Sequence, residues 1–173
     1  MSRPAPPVAG GHVDWEVAGA VGARLARPGP PTTDYTRKQV VDDLAAASRR
    51  AEGPVREVTG LSVDGPVTDA RIVDRRQWVA AAAESLRVMA GGAAAPGGGV
   101  IAGRLAGAQT GAVLAFVSSG ILGQFDPFAG GAGELLLVYP NVIAAERQLR
   151  VPPRDFRLWV CLHEVTHRVQ FTA

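Results

Sequence analysis

The stretch VPPRDFRLWVCLHEVTHRVQF, residues 151–171, governs how the rest of this chain is read. Pro152 and Pro153 suit the first turn of a helix, where a missing N–H is not needed, and Asp155 places a carboxylate where the helix dipole favours one. The pattern predicts a helix from there to the end of the chain. On it His163 and His167 lie four residues apart, one turn above the other, and present two imidazoles to the same point. Glu164 sits one position round the helix, close enough to reach a water between them without becoming a ligand itself. That is half of a tetrahedral zinc site with its general base, and the chemistry it suits is hydrolysis of an amide, with Glu164 taking a proton from zinc-acidified water. Phe156, Trp159 or Val160, and Gln170 extend the ligand side and give it a mostly apolar wall. On spacing alone the bland reading stays open: two histidines at a helix surface, or in ordinary core hydrogen bonds.

Working outward, Glu134 to Val142 is the best strand, with Leu135 to Tyr139 as an apolar run after a Gly-rich turn. Pro140 removes one ladder donor and places this strand at an edge, where it could hold an extended peptide over the metal; a plain core strand is the equal alternative. Helical spacing covers Val13 to Ala26, ended by Pro28 to Pro31, and Asp34 to Glu52, stopped by Gly53-Pro54. Val55 to Leu61 is ambiguous. Pro66 to Asp74 contains a short strand, Arg75 to Ala90 a helix carrying Trp78, Val79, Leu86 and Met89. Gly91 to Gly99 is a loop, although Gly97, Gly99 and Ala102 faintly imitate a dinucleotide-binding turn. Small residues then recur every four positions from Gly99 to Gly123, the mark of a helix that a neighbour approaches closely, ending near Asp126-Pro127. Arg49-Arg50 and Arg75-Arg76 are expected on solvated helix faces, and Cys161 as a small core residue.

Composition bounds the answer. With 173 residues and 47% apolar side chains, one globular domain is expected, spanning 13–173 after a flexible leader, 1–12, that holds Pro4, Pro6 and Pro7. Ala, Gly and Val dominate the apolar set, which favours closely packed helices: an α+β chain, mainly helical, with a small sheet and a C-terminal active-site helix. A net charge of +2 argues against a nucleic-acid surface despite a pI of 9.2, since the basic residues are nearly all Arg, with Lys38 the lone lysine. One cysteine permits no internal disulfide, and the leader lacks an apolar signal region, so a cytoplasmic location is expected. Leu105 to Gly123 is uncharged and close to bilayer length; polar Gln109, Thr110, Ser118 and Ser119 favour a buried helix over a membrane span.

Several stretches together resemble a family of uncharacterised bacterial proteins described as zinc-dependent metallopeptidases, some also linked to biosynthesis of a deazaflavin coenzyme. They are Val73 to Val79, Gly111 to Leu114, Leu122 to Asp126, Val138 to Asn141 and Leu158 to Phe171, spread over most of the chain. The resemblance implies a zincin-like fold, here its N-terminal part, with Zn2+ at His163 and His167 and Glu164 as catalytic base, acting on a peptide or protein. Such proteins continue past the motif, so the chain reads as a fragment whose third ligand lies beyond Ala173 and which alone hydrolyses little. A metzincin would carry glycine at Gln170 and histidine at Ala173, so that subclass is excluded. His12 lies in the leader, and Asp126 and Glu134 are the remaining candidate ligands. The alternative is a non-catalytic interaction module, or an inactive homologue, that keeps the helix.

Overall fold

The computed structural model describes residues 13–61, 69–91, 99–129 and 133–172. The leader with His12, most of the loop expected at Gly91 to Gly99, Gly97 of the imitation nucleotide turn, and Ala173 lie outside them. Among the described residues six helices pack around a three-stranded sheet: α1 Trp15–Leu25, α2 Asp34–Thr59, β1 Arg71–Val73, α3 Arg75–Met89, α4 Val100–Val117, β2 Gly123–Asp126, β3 Glu134–Val138, α5 Tyr139–Leu149 and α6 Pro153–Thr172. The chain is α+β and mainly helical, as composition implied.

The sheet runs β1-β3-β2. β3 pairs parallel with β1, Arg71 opposite Leu136 through Val73 opposite Val138, and antiparallel with β2, Gly123 opposite Leu137 through Asp126 opposite Glu134. β3 is therefore the central strand, not an edge. Its unbroken apolar run is what a strand covered on both faces needs. Leu135 and Leu137 pack with α2 and α6, while Leu136 and Val138 pack with Trp78 and Val79 of α3. Pro140, expected to force the edge position, lies in the first turn of α5, where its absent N–H costs nothing.

Two helix ends also differ from expectation. α2 continues through Gly53-Pro54 to Thr59, because Ala51, Glu52 and Val55 are buried on either side of the exposed proline and tertiary packing outweighs one lost backbone bond. Gly60, with φ of 68°, ends it instead. α4 stops at Val117: Ser118 and Ser119 fold their hydroxyls back onto the carbonyls of Ala115 and Phe116, and the backbone turns to form β2.

The stripe of small residues serves α1. Gly103, Gly107 and Gly111 are buried, and a Cβ at Gly111 would stand 2.4 Å from the Ala18 carbonyl oxygen. α1 and α4 thus touch backbone to backbone, with the Asp14 amide donating to the Gly103 carbonyl at 3.0 Å. The opposite side of α4 exposes Ile101, Leu105, Val113 and Phe116, and α4 is the one helix among the described residues long and apolar enough to cross a membrane. Arg75 is not a solvated cation: half-buried, it donates from Nε to Asn141 Oδ1 at 2.6 Å and from Nη1 to the carbonyls of Arg27 and Pro28. Arg49 and Arg50 are exposed, Arg49 paired with Asp69.

Candidate active site

α6 has two faces with separate duties. Val160, Cys161, Val165 and Val169 fill the core shared with Val40 and Leu44 of α2, and Arg168 pairs with Glu52 beside them. Val160 is therefore no part of the ligand side. The Cys161 thiol approaches the Leu44 carbonyl at 3.7 Å, and burial, with the Glu164 charge, pushes it up to about 12. On the other face run Phe156, Trp159, His163 and His167. The rings of Phe156 and Trp159 stack at 5.9 Å, and those of Trp159 and His163 at 5.8 Å with 16° between their planes. Stacking fixes the plane of the first imidazole.

The second imidazole meets the first edge-on, centroids 4.8 Å apart and planes at 86°, so that the two Nε2 atoms face each other at 3.3 Å. Two nitrogens bound to one tetrahedral zinc at ~2.0–2.1 Å are themselves about 3.3–3.4 Å apart. His163 is exposed and His167 half-buried, so the point they share opens to solvent.

Glu164 is only 7% exposed, and among the described residues no hydrogen bond holds its carboxylate. Burial raises its pKa and the His167 charge partly offsets that. Its side chain lies against β2, where a Cβ at Gly123 would be 2.6 Å from Glu164 Cγ. Gly123 belonged to the repeat of small residues in the sequence; only the pairing of β2 beside β3 shows that it faces this carboxylate.

Asp126 and Glu134 serve elsewhere. Asp126 accepts from the Ser85 hydroxyl at 2.9 Å and from the Phe128 amide at 3.0 Å, and Glu134 holds Arg71 with both oxygens. Among the described residues no three His, Cys, Asp or Glu side chains gather as a metal site. Gln170 is exposed, and Phe171 stacks on Phe125 of β2 at 6.3 Å.

Residues 13–173 match the family described as zincin-like metallopeptidase. A crystal structure described as a proposed hydrolase with a novel fold, from Chloroflexus aurantiacus, is similar at 29% identity and a TM-score of 0.67, over 93% of this chain. This chain spans 53% of that one, about half its length. No curated protein matches.

Proposed function

From the premise that this chain belongs to the zincin-like metallopeptidase family, we propose that α6 carries the helix-borne part of a zinc peptidase site. His163 and His167 would hold the metal through Nε2, and Glu164 would be the general base. The observation that carries this is the 3.3 Å between the two Nε2 atoms, which fits the edge of a zinc tetrahedron, next to a covered carboxylate with no hydrogen-bond partner among the described residues. When bound, zinc would polarise the substrate carbonyl and acidify water. Glu164 would accept a proton from the attacking water and give it to the leaving amine nitrogen, a transfer suited to a carboxylate of raised proton affinity. Trp159, stacked on His163, keeps that ring from turning its nitrogen away.

The substrate would lie along β2, not along β3 as the sequence suggested. The sheet order ends at β2, so its outer edge is unpaired among the described residues, and β2 is the strand beside α6. An extended peptide added there gains main-chain hydrogen bonds beside Glu164. The third ligand is assigned to a residue outside the described ones.

Zinc content and hydrolysis of a quenched fluorescent peptide library test the proposal on the protein at its full natural length. About one zinc per chain is expected, lost in His163→Ala and in His167→Ala. Glu164→Gln should keep the zinc and lose hydrolysis by at least about 100-fold. Zinc retained by the double histidine variant would sink the assignment. A metal-free, fully stable protein would favour the non-catalytic module.

A further inference from the structure

We propose that Gly123 is a positioning residue for the Glu164 carboxylate: the side chain it lacks leaves the slot between β2 and α6 in which that carboxylate stands. The role rests on Glu164 as the base.

Three observations meet here. A Cβ at position 123 would lie 2.6 Å from Glu164 Cγ, 2.8 Å from Cδ and 3.0 Å from the Leu136 carbonyl oxygen. Contacts below 3 Å are repulsive, so a methyl group cannot share this space with the side chain as it stands. Second, neither wall can retreat. Leu136 belongs to the central strand, held by pairing on both sides, and the Glu164 backbone is anchored by Cys161 and Val165, both fully buried in the core. What yields is therefore the glutamate side chain, which must turn from Cγ outward and leave its present position at a cost in stability. Third, no hydrogen bond among the described residues holds the carboxylate, so the space Gly123 leaves open, with the attraction of the His167 charge, sets where its oxygens stand. Gly123 also stands opposite Leu137 in the ladder, and Phe125, two residues on, points into the same face and is packed in the core. Any larger residue at 123 would project toward α6 in the same way.

The test is Gly123→Ala, with Gly120→Ala as control, since a Cβ at 120 meets only the Val117 carbonyl at 3.8 Å. At full natural length and saturating zinc, Gly123→Ala should keep zinc affinity and KM within about two-fold while kcat falls by about 100-fold, the share a general base supplies. Gly120→Ala should match the parent. A role in folding alone would lower stability without splitting kcat from KM. A thermal cycle reads the same contact without any activity: Gly123→Ala lowers Tm by several degrees in the parent and by clearly less in Glu164→Ala, which has lost Cγ and Cδ. Equal Tm shifts in the two backgrounds, an unchanged kcat in an active protein, or a Gly123→Ala/Glu164→Ala double variant that fails to fold would each overturn the proposal. A parent that binds no zinc and hydrolyses nothing would sink the peptidase reading instead, and the thermal cycle would still judge Gly123.

Discussion

Glu164 is a mostly covered residue whose carboxylate has no hydrogen-bond partner among the described residues, so it is poorly compensated when charged. Burial raises its folded-state pKa above the ordinary carboxylate value. Its contribution to stability is then fully present below that ordinary value and is lost as pH rises through the folded pKa. Above its folded-state pKa the ionised group opposes folding. Glu164→Gln in chelator-treated protein should accordingly raise Tm at pH 7, and the gain should shrink as pH falls below the ordinary carboxylate value. A gain of the same size at every pH would mean that ionisation is not its source. His163, Glu164 and His167 were legible in the sequence because an α-helix alone sets their relation. Gly123 was not, because its meaning depends on a strand pairing that brings residue 123 beside residue 164.

At the scale of elements, glycines of the packed helices α1 and α4 have opposite consequences according to what each one faces. A Cβ at Gly111 would meet backbone, the Ala18 carbonyl oxygen at 2.4 Å and the Gly22 nitrogen at 2.9 Å, and neither can move without parting the helices. Gly111→Ala should cost about 1–3 kcal/mol in denaturant unfolding. Gly19, in the same α1, would place its Cβ 3.9 Å from Ala83 Cβ, an ordinary contact. Gly19→Ala should add about 0.5–1 kcal/mol by removing backbone freedom from the unfolded chain. A stabilised Gly111→Ala would show that the helices are less closely joined than described. Periodicity made α1, α3 and α6 readable, since each has one buried stripe. It failed at Pro54, where packing on both sides carries α2 past a residue that normally breaks a helix. It failed again at β3, where Pro140 was charged to the strand although it belongs to the helix that follows.

Across the whole molecule, Asn141 joins parts that are remote in sequence. Its Nδ2 donates to the carbonyls of Ser118 at 2.7 Å and Ile121 at 2.5 Å, and its Oδ1 accepts from Arg75 Nε at 2.6 Å. This one buried amide ties the start of α3, the link from α4 to β2, and α5. Asn141→Ala should cost about 2–4 kcal/mol, as a lower denaturant midpoint at unchanged slope, because two carbonyls lose their donor inside the protein. The mainly helical architecture could be read from composition, and the helical turn that brings the His163 and His167 rings together from their spacing. The order of the strands could not, since it follows from contacts between segments with no local signature. The core itself has that character: Cys161 of α6 touches Leu44 of α2 across 117 residues, and β1 pairs with β3 across the whole of α3, α4 and β2. During synthesis the apolar face of α2 therefore leaves the ribosome long before α6 exists to cover it. The nascent chain must wait with that face open, a period in which it is exposed to aggregation and to chaperone capture.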